Sequence, residues 1–180
     1  VFDLTVTNTN VAPTITNPGN QPGSEAAPFS VTVTASDPDG TTVSFVDSGT
    51  LPAWATLTDN GNDTATISGT PGYDDAGTTT VTITASDGSL TDDAVFDIVI
   101  ANTNRSPAVA PIADQVTAES VALTPIAVTA SDLDGTVPSL SAPSLPAWAS
   151  LIDNGDGTGT ITGTPGYDDA ATTNVTVLAF

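Results

Sequence analysis

The chain has 180 residues, of which 21 are Asp or Glu and one is Lys or Arg, so its formal net charge is −20. A surface this acidic repels nucleic acid and anionic lipid, which excludes both as expected partners. The absence of Cys excludes a disulfide framework and a thiolate nucleophile, and no apolar run approaches the roughly 20 residues that span a bilayer, so direct membrane insertion is not expected.

The first ten residues match a later part of the chain. Val1–Asn10 aligns with Val95–Asn104, and in both stretches apolar residues alternate with others. A period of two is typical of a strand with one buried face. We therefore predict that residues 1–7 are the closing strand of a preceding or neighbouring repeat.

Residues 8–101 are predicted to form the first complete repeat. Apolar and Thr residues alternate along Phe29–Ser36 and again along Val81–Ala85, and Asp59-Asn-Gly61 is typical of a hairpin turn between two strands. No window has helical periodicity. Seven or so short strands with turns every 8–12 residues favour an all-β, immunoglobulin-like antiparallel sandwich.

The second repeat is predicted over residues 102–180. Leu51–Asp75 returns almost unchanged as Leu145–Asp169, 94 residues later. The sequence stops before a counterpart of Val95–Ile100, so this repeat lacks its closing strand. Two explanations stay open: the chain is a window cut from a longer tandem array, or residues 1–7 of one molecule complete the second domain of the next by strand donation.

Several spaced motifs recur in the same order in the two repeats. They are Asn-x-Asn-x-x-Pro, an early Glu, Asp-x-Asp-Gly, Leu-Pro-Ala-Trp and Gly-Thr-Pro-Gly-Tyr-Asp-Asp-Ala, followed in the first repeat by Ala-Ser-Asp-Gly. In this order they resemble the cadherin-like, dystroglycan-type and immunoglobulin-like tandem repeats of large bacterial surface proteins. The resemblance covers nearly the whole chain. It implies tandem sandwiches in an extracellular or cell-surface protein of a bacterium.

The same resemblance implies Ca²⁺ at the junctions between repeats. At the central junction the implied ligands are Glu25, Asp74, Asp75, Asn102, Asn104, Asp132 and Asp134. At the junction before the first repeat they are Asn8, Asn10, Asp37, Asp39 and Asp87. Calcium takes six to eight hard oxygen ligands, which carboxylates two residues apart can supply. The linker reads Asn-Thr-Asn where true cadherins carry an acid, so we expect the weak affinity of extracellular modules, about 10⁻⁴–10⁻³ M.

Simpler explanations exist for these motifs. Asp-Pro-Asp-Gly and Asp-Leu-Asp-Gly are also favourable β-turn sequences, so turn formation without metal is the alternative to calcium binding. Trp54 and Trp148 each lie in a Leu-Pro-Ala-Trp-Ala run, which favours core packing over a sugar-stacking platform. Tyr73 and Tyr167 are expected to pack across the loop that joins the two sheets.

An enzyme is the function class that the residues favour least. The chain has no His, its single cation is Arg105, and its acids fall on predicted turns rather than in a cleft. We predict a calcium-stiffened structural spacer of an extracellular adhesin or filament, whose partners are neighbouring repeats or identical subunits placed head to tail. The alternative is a module of a secreted multidomain protein that binds a glycan or a cell-surface protein.

Overall fold

A computed structural model describes all residues 1–180 and divides into two units, Val1–Thr103 and Asn104–Phe180. Every regular element is a β-strand, and the predicted all-β fold class is confirmed. The structure holds no helix of the length and apolar character needed to cross a bilayer.

The first unit is a sandwich of two four-stranded sheets. Its strands are β1 (Thr14–Thr16), β2 (Gln21–Ser24), β3 (Phe29–Ser36), β4 (Ser44–Asp47), β5 (Ala55–Asp59), β6 (Thr64–Gly69), β7 (Gly77–Ser86) and β8 (Thr91–Ala101). One sheet has the order β1-β3-β6-β5 and the other β2-β8-β7-β4. All neighbours are antiparallel except β2 and β8, which run parallel with Gln21 opposite Ile98. The closing strand β8 therefore has a partner on each side.

The core of the first unit follows from the alternation along its strands. Val33, Ile67 and Val81 are fully buried, with 0% of each residue exposed. The strand β8 adds Phe96, Ile98 and Ile100, which are 3%, 1% and 5% exposed. The Thr residues of β3 alternate with these core positions and face solvent, where β-branching favours the strand conformation.

The second unit repeats part of this arrangement. Its strands are β9 (Ala108–Val109), β10 (Ile126–Ser131), β11 (Leu140–Ser141), β12 (Ala149–Asp153), β13 (Thr158–Gly163) and β14 (Leu178–Ala179). One sheet has the order β9-β10-β13-β12, which matches β1-β3-β6-β5. The other sheet is reduced to β11 and β14, with Leu140 opposite Ala179 as Phe45 is opposite Ala85 in the first unit.

Within residues 104–180 no strand takes the place that β8 has in the first unit, and the second sheet has two strands. Residues 115–118 correspond to β2 but form no strand, since β2 itself pairs only with β8. The buried hydrophobic core of the unit consists of Val128, Leu140 and Ile161. An open side therefore remains where the first unit is closed.

Residues 1–13 precede the first strand and form no regular element. Within them Phe2, Leu4 and Val6 are 87%, 83% and 86% exposed, although their counterparts in β8 are buried. A strand needs a neighbouring edge for its backbone hydrogen bonds. The pairing of residues 1–7 with another repeat stays a prediction.

Candidate functional site: the acidic turns

The two Asp-x-Asp-Gly turns are held by their own hydrogen bonds. The N–H of Asp39 donates to Asp37 Oδ1 at 2.7 Å, and the N–H of Asp134 donates to Asp132 Oδ1 at the same distance. Gly40 and Gly135 follow with φ of 76° and 82°, a conformation that glycine adopts without steric cost. Turn formation is thus a real role of these acids, and it engages one carboxylate oxygen of the first Asp in each turn.

Four of the five residues predicted for the junction before the first repeat are brought into contact. The Asn8 side-chain amide donates to Asp39 Oδ1 at 3.0 Å, and that of Asn10 donates to Asp87 Oδ2 at 2.8 Å. The N–H of Val11 donates to Asp39 Oδ2 at 2.7 Å. The segment before β1 is therefore fixed to the turns that follow β3 and β7. We call the five residues Asn8, Asn10, Asp37, Asp39 and Asp87 the Asp37 end.

The oxygens of the Asp37 end suit calcium in type. Asp37 Oδ2 is buried and has no hydrogen-bond partner, an arrangement that normally costs stability. The N–H groups of Leu90 and Ser89 hold the pKa of Asp87 below its usual value, with the Asn10 amide contributing less. No three acidic side chains converge anywhere in the structure. A bound Ca²⁺ would therefore need the amide oxygens of Asn8 and Asn10 beside the carboxylates, and hard oxygens of both kinds are its usual ligands.

Glu25 is buried, with 2% of the residue exposed. Its Oε1 accepts the N–H of Ala76 at 3.0 Å and its Oε2 accepts the N–H of Thr103 at 2.8 Å. The Thr103 hydroxyl also donates to the Glu25 carbonyl at 3.1 Å. Glu25 thus ties the loop before β7 to the chain that follows β8. An ionised carboxylate has about four lone-pair sites, so its predicted role toward calcium is compatible with this one.

Asp75 is also used by the backbone of its own turn. Its Oδ2 accepts the N–H of Gly72 at 2.7 Å, and Asp169 accepts the N–H of Gly166 at the same distance in the second unit. Asp74 is exposed beside Asp75. The Pro-Gly-Tyr-Asp-Asp loops therefore have the same local structure in the two repeats, which follows from their identical sequences.

Asp134 pairs with the only cation of the chain. Its carboxylate accepts the backbone N–H of Arg105 and the Arg105 Nε–H, the latter at 2.7 Å. The Asp134 side chain is 4% exposed. The hydrogen bond from the Arg105 N–H, followed by the guanidinium, lowers the pKa of Asp134. The residue matching Arg105 in the first repeat is the neutral Val11, so the two predicted metal sites differ in charge.

Asn102 and Asn104 do not repeat the contacts of Asn8 and Asn10. Both are exposed, and the Asn104 amide donates to the Arg105 carbonyl at 3.0 Å. Sequence reasoning missed the Arg105–Asp134 ion pair, although a single Arg next to the linker of so acidic a chain was a usable signal.

The aromatic residues divide into a buried and an exposed pair. Trp54 packs on the core and meets the Phe29 ring edge-on, with centroids 5.5 Å apart. Trp148 is also partly buried. Tyr73 and Tyr167 are 45% and 80% exposed, so the expected packing across the loop is not found for Tyr167. Each lies in a turn in which the preceding Gly N–H donates to the second Asp of the loop, Asp75 or Asp169.

Comparison with known proteins gives one family match. The family model described as Putative Ig domain (He_PIG) matches residues 12–101 and again residues 106–180. A search of curated proteins finds no match. The predicted resemblance to cadherin- and immunoglobulin-like tandem repeats is confirmed.

Solved structures that match this chain come from different kinds of protein. Two crystal structures of human Protocadherin-24 EC1-2 match with TM-scores of 0.55 and 0.50 at 16% and 14% identity, covering 94% and 96% of this chain and 87% and 95% of theirs. The endo-fucoidan hydrolase MfFcnA4 of glycoside hydrolase family 107 matches with a TM-score of 0.47 at 22% identity over 93% of this chain. The chain spans only 28% of the length of that enzyme. At 16% and 14% identity, the likeness to the Protocadherin-24 structures shows the fold alone.

Proposed function

Because the chain belongs to the Putative Ig domain family through both of its repeats, we propose that it is a structural repeat of an extracellular adhesin or filament on a bacterial surface. Repeat domains of this kind are typically extracellular and non-catalytic. In this role each sandwich is a spacer, and Ca²⁺ stiffens the chain where it passes from one sandwich to the next. The contacts at the Asp37 end carry the proposal.

Two observations at the Asp37 end support a cation site. This end joins Asn8 and Asn10 to the carboxylates of Asp39 and Asp87, and it leaves Asp37 Oδ2 buried without a partner. A cation held there supplies positive charge among carboxylates that otherwise repel one another. It would also fix the direction in which residues 8–11 approach the first sandwich. Because it binds the folded form, it raises stability by mass action.

The second proposed site uses Asp132, Asp134, Asn102 and Asn104, together with Glu25, Asp74 and Asp75 at the end of the first unit. Arg105 already places a positive charge on Asp134. A second cation near Asp134 is therefore repelled by the guanidinium, and calcium affinity falls. We expect the Asp37 end to bind Ca²⁺ more tightly than this second set.

A calcium titration of the whole chain tests the proposal. We expect Ca²⁺ to raise the melting temperature and to make the sedimentation coefficient approach that of a stiffer rod, and EDTA to reverse both. Asp87→Asn should remove most of the effect. Asp97→Asn is the matched control, because Asp97 accepts the Thr80 hydroxyl at 2.7 Å on the outer face of β8, away from the Asp37 end. If Ca²⁺ changes neither quantity, or if the two variants respond alike, the acids act only in turns.

A glycan- or protein-binding module is the second candidate function. The observation that favours it is Tyr167, which is 80% exposed in a loop beside acidic residues and could stack on a sugar ring. Binding of the chain to immobilised polysaccharides, lost in Tyr167→Ala and kept in Trp148→Phe, would support it. The absence of binding would leave the spacer role alone.

Neighbouring repeats or identical subunits are the proposed partners, arranged head to tail by strand donation. The repetition of one family model along the chain supports partners of the same kind.

A further inference from the structure

The hairpin between β5 and β6 presents an exposed asparagine at its tip. Asn62 stands in the sequence Asn62-Asp-Thr64, and Asn-x-Ser/Thr with x other than Pro is the acceptor sequence of N-linked glycosylation. Two other triplets of this form are Asn104-Arg-Ser106 and Asn174-Val-Thr176. A chain rich in Asn and Thr contains such triplets by chance, so only the placement of their side chains distinguishes them.

The Thr64 hydroxyl is hydrogen-bonded to Asn62 itself. Thr64 Oγ1 donates to Asn62 Oδ1 at 2.6 Å, and the same Oγ1 accepts the side-chain amide of Asn60 at 2.9 Å. Because the Asn60 amide group is only a donor in that contact, the hydrogen of the Thr64 hydroxyl is available to Asn62. This bond draws electron density toward Oδ1 and makes the N–H groups of Asn62 Nδ2 more acidic. Nδ2 is the atom to which an N-linked sugar is attached.

The nitrogen of Asn62 is accessible in the folded protein. The Asn62 side chain makes one hydrogen bond, through Oδ1, and the residue is exposed. A transferase therefore reaches Nδ2 without breaking a hydrogen bond of that atom.

The loop that carries Asn62 is fixed to the rest of the first unit. The carbonyl of Asp63 accepts the N–H of Ala35 at 3.0 Å, and Asp63 Oδ1 accepts the N–H of Val43 at 2.8 Å. The hairpin tip is thus held in one conformation by backbone groups on both of its sides. Modification of Asn62 does not require the sandwich to unfold.

The other two triplets lack this arrangement. The Asn104 side-chain amide donates to the Arg105 carbonyl at 3.0 Å, so its nitrogen is engaged. Thr176 is held through its backbone N–H, which donates to Ser144 Oγ at 2.6 Å, and its hydroxyl makes no bond to Asn174. Of the three triplets, only Asn62-Asp-Thr64 joins the hydroxyl to the asparagine.

The second repeat has the same hairpin geometry without the amide. Asp156 is at the matching position, and Thr158 Oγ1 donates to Asp156 Oδ1 at 2.6 Å, the distance found for Thr64 and Asn62. A carboxylate has no nitrogen to modify. One residue therefore decides which of the two hairpins can carry a sugar.

We propose that Asn62 is a site of N-linked glycosylation. The inference rests on the proposed extracellular setting of the chain. The donor is a sugar whose C1 is esterified to a diphosphate, which is carried by a nucleoside or by a lipid. In the transfer the bond from Nδ2 to C1 forms, and the bond from C1 to the diphosphate oxygen breaks. The diphosphate leaves with the electron pair of that bond, and Nδ2 gives one proton to a base of the transferase.

Two reactions on the purified, folded chain test the proposal and separate the two donors. One uses UDP-glucose and a soluble N-glycosyltransferase, and the other uses a lipid-linked oligosaccharide and a purified oligosaccharyltransferase, both enzymes being ones that recognise Asn-x-Ser/Thr. We expect the intact mass to show one modified residue in each chain in at least one reaction, and peptide mapping to place it at Asn62. The reaction that succeeds identifies the carrier of the diphosphate.

Four variants examine the role of each group. Asn62→Gln and Thr64→Val should both lose the modification, the first because the acceptor is gone and the second because the hydroxyl is gone. Asp156→Asn should gain a second modified residue, since Thr158 already makes the required bond. Asn174→Gln is the control and should be modified like the original chain. The melting temperature of each variant shows that it is folded.

Three results would overturn the inference. They are a folded chain that stays unmodified in both reactions, modification that falls equally on Asn104 or Asn174, and an Asp156→Asn chain without a second modified residue. A failed calcium titration would leave these measurements unchanged, and an unmodified Asn62 would leave the titration unchanged, so the two proposals can fail separately.

Discussion

The two matching phenylalanines allow a direct test of which strand belongs to the first core. Phe96 is 3% exposed in β8, whereas Phe2, its counterpart, is 87% exposed. Removing a buried Phe side chain costs about 3–5 kcal/mol, because apolar burial is lost and a cavity remains. We therefore expect Phe96→Ala to destabilise the first unit by about 3–5 kcal/mol, and Phe2→Ala by less than about 0.5 kcal/mol in a dilute, monomeric sample.

Urea unfolding followed by Trp54 fluorescence measures this difference. A Trp148→Phe background leaves Trp54, which packs against Phe29, as the only Trp and hence as a reporter of the first unit. A domain of 60–100 residues loses about 4–8 °C of melting temperature for each kcal/mol, so Phe96→Ala should also lower the melting temperature by well over 10 °C. Equal losses for the two variants in dilute solution would refute the reasoning, because residues 1–7 would then be packed in a core.

Three further predictions concern charge. Glu25→Ala should destabilise the first unit by about 3 kcal/mol, because two backbone N–H groups lose a charged acceptor. Glu119→Ala should leave the melting temperature of the chain nearly unchanged, since Glu119 is exposed. Differential scanning calorimetry distinguishes the two variants. Association between copies of the chain should tighten as NaCl is added. Each copy carries a net charge of −20, and salt screens the repulsion between copies. A sedimentation coefficient that falls as salt is added would contradict this. The N–H of Leu140, followed by that of Gly155, lowers the pKa of Asp153 from 3.8. The ionised Asp153 therefore stabilises the second unit above that value, and this stabilisation is lost as the pH falls through the folded-state pKa. Asp153→Asn should destabilise the second unit at neutral pH and not in strong acid.

Much of the fold could be read from local patterns. The alternation along Phe29–Ser36 predicted β3, and Asp59-Asn-Gly61 predicted the hairpin between β5 and β6, in which the N–H of Gly61 donates to Asp59 Oδ1 at 2.9 Å. Both signals work because side-chain alternation and turn chemistry depend on neighbours within a few residues. The same reasoning identified the Asp-x-Asp-Gly turns as turns.

The candidate sites were less predictable, because the sequence around an Asp or Glu does not show which groups donate hydrogen bonds to its carboxylate. Glu25 was predicted as a ligand, and the structure adds that both of its oxygens accept backbone N–H groups far along the chain, at Ala76 and Thr103. Asp134 was predicted alongside its counterpart Asp39, but only Asp134 meets an Arg. These partners are 29 to 78 residues away in sequence, which is beyond the reach of any local pattern.

By itself the sequence determined that the chain is a doubled β-sandwich with strands at matching positions and acidic turns between them. Only the tertiary structure decided which segments pair, since Gln21–Ser24 forms a strand beside β8 whereas the matching residues 115–118 form none. The same applies to Phe2 and Phe96, which have one sequence context and opposite exposure. Side-chain period is a property of a segment, whereas burial and pairing are properties of what lies beside it.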